Sequence, residues 1–285
     1  MPDFRYVVCD VFTDRPLAGN PLAVFTDARP IPEALLQPLA REINFSETVF
    51  VYAATGQGHA RIRIFTPGHE LPFAGHPVLG SAFVLAGPLQ LAEIVLETGA
   101  GPVPVTLERD GPRIVFGRMR QPLPHIEPVA DTSALFAALG VARAVLPVEL
   151  YVNGPRHVFV GLGGEAEVAE LEPDFARLAR LWPTGTINCF AGSGRRWKTR
   201  AFAPGAGVPE DPATGSAAGP LACHLARHGR IAFGEEIELA QGAEIGRPST
   251  LFARVEGSRD EIERVEVGGS AVIVARGEFR LDARG

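Results

Sequence analysis

The chain has 285 residues, of which 46% are apolar and 21% charged, with a formal net charge of −6. That length suits two domains of about 100–150 residues, each able to bury its own core. The acidic balance excludes a general nucleic-acid or anionic-membrane surface, and three scattered cysteines, Cys9, Cys189 and Cys223, exclude a CxxC metal or redox site and suit a reducing cytoplasm.

The opening residues 4–12 are rich in β-branched and aromatic side chains and read as a strand. No basic segment leads into an apolar run there, so no signal peptide is expected. Gly19-Asn20-Pro21 forms a loop before a short strand at 22–25. Leu35, Leu36, Leu39 and Ile43 give helical spacing over 32–43. Strands follow at 48–52 and 61–65, then a helix of small and apolar residues over 77–85. The apolar stretch 73–91 is broken by His76, Pro77, Gly80, Pro88 and Gln90, too often for a membrane span. Further strands lie at 94–98, 103–108 and 113–116, the last two joined through Asp110-Gly111, a hairpin signal.

Residues 120–128 carry three prolines and little periodicity, and read as the linker between an N-terminal half, 1–119, and a C-terminal half, 129–285. A helix capped by Asp131 or Thr132 ends at Gly140. Strands at 150–153 and 157–161, a helix over 173–181 and strands at 187–190 and 197–202 come next. The basic run 195–200 reads as a solvated turn entering that last strand. A second small-residue helix covers about 213–227, with His224 and His228 on an expected solvated face. Strand-like segments fill the tail at 237–239, 250–255, 261–267 and 271–281. Each half is thus expected to be a mixed sheet with one Gly- and Ala-rich helix.

The halves repeat one another. Arg63-Ile64-Phe65-Thr66-Pro67-Gly68 resembles Arg200-Ala201-Phe202-Ala203-Pro204-Gly205. His76-Pro77-Val78-Leu79-Gly80-Ser81-Ala82 resembles Asp211-Pro212-Ala213-Thr214-Gly215-Ser216-Ala217, a constant 135 residues apart from 76 to 211 and from 81 to 216. Ile94-Val95-Leu96-Glu97-Thr98-Gly99 resembles Ile237-Glu238-Leu239-Ala240-Gln241-Gly242. Pro suits the first helical position, which places His76 and Asp211 at two N-caps. Two helix starts aimed into one cleft would hold a carboxylate and stabilise a carbanion or enolate beside it.

His76 titrates near neutral pH and is a candidate for catalysis. Asp211 is the acid facing it across the repeat. Glu47 sits at the mouth of a strand, where desolvation would raise its proton affinity and let it shuttle a proton. Gly161-Leu162-Gly163-Gly164 lacks the last glycine of a dinucleotide fingerprint, no P-loop occurs, and no histidine pattern marks a metal site. No cofactor, metal or nucleic-acid partner is expected.

Gly19-Asn20-Pro21, the segment 44–51, Ala74-Gly75-His76-Pro77 and Glu210-Asp211-Pro212-Ala213-Thr214-Gly215-Ser216-Ala217 together resemble the PhzF-like (phenazine biosynthesis) proteins, in order and over essentially the whole chain. The resemblance implies the diaminopimelate-epimerase-like α/β fold, two pseudo-symmetric domains each with a sheet curled round a central helix. It also implies a cofactor-free homodimer, and the sparse cysteines place it in the cytoplasm. A glutamate moves a proton across a dihydro-hydroxyanthranilate ring in the characterised member, and that residue corresponds to Glu47, assisted by His76 and Asp211. Asn20, Gly75, Gly215 and Ser216 are then expected to contact a small carboxylate substrate. The related epimerases use one cysteine per half near these helix starts, where this chain has Gly75-His76 and Asp211-Pro212. The expected function is an isomerase. The alternatives are an amino-acid racemase with other bases, or a catalytically silent binding protein on the same fold.

Overall fold

The computed structural model describes residues 3–281. The first half runs β1 (Asp3–Val11), β2 (Asn20–Phe25), α1 (Glu33–Ile43), β3 (Glu47–Tyr52), β4 (Ala60–Phe65), β5 (Glu70–Leu71), α2 (Gly75–Leu89), β6 (Glu93–Thr98), β7 (Gly101–Asp110) and β8 (Arg113–Arg120). The second runs β9 (His125–Pro128), α3 (Ser133–Leu139), β10 (Glu149–Val152), β11 (Arg156–Gly161), α4 (Glu165–Ala169), α5 (Phe175–Leu181), β12 (Thr186–Ser193), β13 (Arg196–Ala203), β14 (Val208–Asp211), α6 (Gly215–Arg227), β15 (Glu236–Gln241), β16 (Ser249–Gly257), β17 (Ile262–Gly269) and β18 (Ala271–Arg280).

Strand pairing repeats in the two halves. β1–β2 is antiparallel, β2–β3 parallel, β3–β4 antiparallel and β4–β6 parallel. β10–β11, β11–β12, β12–β13 and β13–β15 follow the same pattern. β9, which lies in the proline-rich segment 120–128, pairs with the next strand, β10, whereas β18 leaves its sequence neighbours and returns to pair with β1 along its whole length. β8 and β17 join the two sheets edge to edge, so all 18 strands form one hydrogen-bonded network.

Each curled sheet closes around one helix. α2 is apolar on every side and buried from Gly75 to Val84, the pattern of a central rather than a surface helix. Its small residues allow that burial. A Cβ on Gly80 would lie 2.7 Å from both Leu22 and Val11, so β1 and β2 pack directly on the helix backbone. α6 is buried from Gly215 to Ala226, and a Cβ on Gly219 would lie 2.3 Å from Gln121 and 2.4 Å from Val265. Gly and Ala are weak helix-core formers by burial alone. Here they set the distance between helix and sheet.

Several local expectations change. The helix starts fall at Gly75 and Gly215, with Ala74 and Thr214 as the capping residues. His76 therefore lies inside the first turn of α2, and Asp211 ends β14 ahead of α6. Neither is an N-cap. The constant spacing of 135 is a coincidence of composition, because the equivalent helix starts are 140 apart, from 75 to 215. The basic run is split by strand alternation: Arg195 and Arg196 are exposed, while Arg200 is buried. Its guanidinium reaches Glu210 (2.7 and 2.9 Å) and the carbonyls of Val168, Ala169 and Leu171. The Gly163-Gly164 segment opens the short helix α4, not a nucleotide loop.

Candidate active site

A cleft of about 230 Å³ opens between the two halves, with Glu47 and Ala74 on one wall and Asp211, Thr214 and Ser216 on the other. Topology puts them there. β3 begins at Glu47 beside Leu22 of β2, and β14 delivers Asp211 opposite Ala201 of β13. The two helices meet at their first residues. A Cβ on Gly75 would lie 2.4 Å from Gly215 C and from Ser216 N, and one on Gly215 would lie 2.7 Å from the Phe12 ring. The first N–H groups of each helix have no carbonyl a turn behind them, so both starts present donors and partial positive charge to the same place.

Asn20 ties the halves together at this point. Its Nδ2, with two hydrogens, has three acceptors in reach: Asp211 Oδ1 (2.8 Å), the Ala213 carbonyl (3.0 Å) and His76 Nδ1 (3.1 Å), so one hydrogen is shared. With Nδ1 accepting, the imidazole proton sits on Nε2, which lies 3.3 Å from Glu47 Oε2. That contact falls short of hydrogen-bond geometry, and both atoms are otherwise unpartnered and buried. Asn20 is itself placed by the turn before it. Gly19 takes φ +66°, and a Cβ there would strike the Val11 carbonyl at 2.3 Å. Arg247 clamps the turn from the other half through the Ala18 and Gly19 carbonyls and Asp10.

Asp211 is held by a second set of bonds. Thr214 Oγ1 donates to its Oδ2 (2.6 Å), and Gln241 Nε2 donates to its carbonyl (2.8 Å) and to Thr214 Oγ1 (3.0 Å). Gln121 and Asn153 donate to the Gly215 and Ser216 carbonyls, fixing the first turn of α6. Sequence reasoning passed over Arg247, Gln121 and Asn153, which lie far from any motif. Thr214 lay inside the quoted Glu-Asp-Pro-Ala-Thr-Gly-Ser segment and Gln241 inside the third repeat match, so both had a signal.

Burial sets the protonation states. Desolvation, then the Asp211 carboxylate, push Glu47 well above the usual carboxylate range. Asp211 is also raised by desolvation, against which the Thr214 and Asn20 hydrogen bonds act. Burial drives His76 down to about 3, so the ring is neutral at pH 7. The unfolded chain protonates this histidine near its ordinary 6.5, and the folded chain does not until about 3. A depressed folded value in a base means that stability is lost as pH falls through that window. Urea titrations should therefore show wild type losing stability faster than His76→Gln between pH 6 and 4, by roughly 1 kcal/mol per pH unit. Parallel curves for the two proteins would contradict a buried neutral His76.

Thiol chemistry has no place in the cleft. Cys9, Cys189 and Cys223 are buried, and desolvation raises all three. A thiol raised in this way is a poor nucleophile or base. Among the described residues, Glu149, His224 and His228 bring three ligand atoms within 4.8 Å of one another. His224 is fully buried, against the expected solvated face, and both rings contact Glu149 Oε2 at 3.1 Å. Arg227 Nη1 donates to that same oxygen (2.9 Å), so a cation already satisfies the carboxylate. No described helix is long and apolar enough to cross a membrane.

Comparison with known proteins matches the chain to a family. The profile described as phenazine biosynthesis-like protein covers residues 9–277. A trans-2,3-dihydro-3-hydroxyanthranilate isomerase from Pseudomonas aeruginosa is 50% identical, spanning 97% of this chain and 99% of that protein. A PhzF-family structure from Bacillus anthracis superposes with a TM-score of 0.85 at 26% identity, over 99% of this chain and 100% of the other. A hydroxyproline epimerase from Agrobacterium vitis shares the fold alone, with a TM-score of 0.69 at 12% identity, over 100% of this chain and 93% of that one.

Proposed function

The chain belongs to the phenazine biosynthesis-like (PhzF) family, and on that premise we propose that this isomerase acts on trans-2,3-dihydro-3-hydroxyanthranilate, with Glu47 as the proton-transfer group. The single observation that carries the reading is the Glu47–His76–Asn20–Asp211 constellation beside two abutting helix starts. The substrate carboxylate sits against the first N–H groups of α2 and α6, including those of Gly75, Gly215 and Ser216, where helix starts favour anions.

The chemistry follows from the substrate's bonding. C2 and C3 of the ring are saturated, and C3 carries a hydroxyl and a hydrogen next to a diene that ends at the carboxylate-bearing C1. Glu47, ionised, takes the C3 proton. The C–H electron pair shifts through the diene, and negative charge grows toward C1 and its carboxylate. The helix starts stabilise that charge. Glu47 then returns the proton at C1, leaving an enol that tautomerises to the ketone, so no atom is gained or lost. A carboxyl whose proton affinity is raised well above the usual carboxylate range suits both halves of this exchange. His76 stays neutral and offers its Nε2–H to Glu47 or to the C3 oxygen.

Incubating the protein with trans-2,3-dihydro-3-hydroxyanthranilate in D2O should give an isomer of unchanged elemental composition, with solvent deuterium entering at carbon. Recovery of unchanged, unlabelled substrate would overturn the reading. The functional unit is a homodimer without a cofactor on the same premise, and light scattering on an eluting peak should give twice the chain mass.

A further inference from the structure

The second half carries a buried polar pair at its helix start that the first half lacks. Gln241 ends β15, and the third repeat match sets it against Thr98. Thr214 precedes α6 where Ala74 precedes α2. In the first half, Thr98 Oγ1 donates to the Gly101 carbonyl (2.7 Å), and Ala74 makes no side-chain cap. The fold therefore closes on a helix start without this pair. A buried amide costs free energy unless its polar atoms are bonded. Gln241 directs all its bonds at two residues, Asp211 and Thr214.

These bonds fix one another's direction. The Thr214 N–H donates to Gln241 Oε1 (3.1 Å), and Gln241 Nε2 donates to the Asp211 carbonyl (2.8 Å). One backbone donor and one backbone acceptor thus settle which end of the amide is nitrogen. That nitrogen only donates, so Thr214 Oγ1, 3.0 Å away, accepts from it. The hydroxyl proton is left for Asp211 Oδ2, at 2.6 Å. Asn20 Nδ2 faces the other oxygen, Oδ1, at 2.8 Å. Both carboxylate oxygens meet donors, which favours the anion. Gly242 holds the amide in place. With φ +77°, a Cβ on it would strike the Pro212 and Arg247 carbonyls at 2.5 and 2.4 Å, so the end of β15 lies against the chain just after Asp211. We propose that Gln241 is a positioning residue which, acting through Thr214, keeps Asp211 an anion beside Glu47. This assignment rests on the reading of Glu47 as the proton-transfer group.

The charge on Asp211 matters to Glu47. Glu47, Asp211 and Thr214 line the cleft, whereas Gln241 does not, so its influence reaches the chemistry only through them. Two carboxylates in one site resist the ionisation of the second. The Asp211 charge is accordingly the second cause, after desolvation, that raises Glu47. The other groups around Asp211 bring no free charge. Ser46 and Asn20 offer it uncharged donors, burial keeps His76 neutral, and Glu210, next in the chain, is bonded to Arg200. A proton on Asp211 would remove the repulsion, and Glu47 would ionise at lower pH and be a weaker base.

The test follows the Asp211 carboxyl carbon by NMR in protein carrying isotope-labelled aspartate, the signal being assigned by its absence from Asp211→Asn. Thr214→Val should raise the Asp211 midpoint by about one pH unit, the order expected for one hydrogen bond to a charged group. Thr214→Ser should restore it. Gln241→Met should raise it by less, and Gln241→Met combined with Thr214→Val should go no further than Thr214→Val alone. In kinetics, kcat/KM rises with pH as Glu47 ionises, and that limb should move to lower pH in Thr214→Val and in Gln241→Met. An Asp211 midpoint unmoved in either single variant would overturn the proposal, whatever the melting temperature does. Additive shifts in the double variant would overturn it too, since Gln241 would then not act through Thr214. Failure of the Glu47 reading is told apart, because the carboxyl titration needs no turnover.

Discussion

Glu47→Gln should lower kcat for trans-2,3-dihydro-3-hydroxyanthranilate by about a thousandfold, in the middle of the range for loss of a positioned acid/base group. KM should change little, since the amide keeps the shape of the side chain and the carboxylate seat lies on the helix starts. Deuterium exchange into the substrate should fall in parallel. The same variant should be more stable than wild type at pH 7. Glu47 is raised on folding, so any stability it contributes is present below its unfolded value and is lost as pH rises through the folded one. At neutral pH the group is a net cost, with its Oε2 unpartnered and Asp211 close by. Lower activity with a higher melting temperature is the signature of a residue kept for chemistry. Full activity in Glu47→Gln would remove Glu47 from the mechanism altogether.

Gly75→Ala should cost both stability and activity. The added Cβ would meet Gly215 C and Ser216 N at 2.4 Å, both backbone atoms on the opposing helix start. No rotamer relieves a clash between a Cβ and a backbone, so α2 and α6 must move apart. A loss of about 3 kcal/mol is expected, the upper end for overpacking, or roughly 5 °C in melting temperature for a chain of this length. The seat for the carboxylate opens as the helices part, and KM should rise with it. Gly80→Ala is the useful control. Its Cβ meets the tips of Leu22 and Val11 at 2.7 Å, so it should destabilise α2 packing with a smaller effect on KM. Wild-type stability in Gly75→Ala would mean that the two starts do not abut. The same crowding bears on the racemase alternative. A cysteine at Gly75 would meet that clash, and the three thiols present are buried in the cores.

Sequence alone carried the mixed α/β class and the family, because these live in local pattern. Strands of β-branched residues and two helices of Gly and Ala are legible over a few residues. Glu210-Asp211-Pro212-Ala213-Thr214-Gly215-Ser216 is specific as a string. Local pattern also misled. Pro77 and Pro212 suggested two equivalent N-caps, but α2 begins two residues before Pro77, at Gly75, and α6 begins three residues after Pro212, at Gly215. A proline is compatible with several positions near a helix start, and only the hydrogen-bonded ladder selects one.

Tertiary structure decided everything that depends on pairs distant in sequence. Asn20 reaches Asp211 across 191 positions, and Arg247 reaches Asp10 across 237. β18 closes on β1, at the far end of the chain, and no linear reading of a strand says which edge it will join. Burial is likewise a property of the assembled fold. It turns His224 from an expected surface residue into a core one, leaves His157 without a partner, and pushes Glu47 toward the proton affinity its proposed role needs. The residue types were written in the sequence. Their protonation and their company came from the removal of water when the two halves closed on each other.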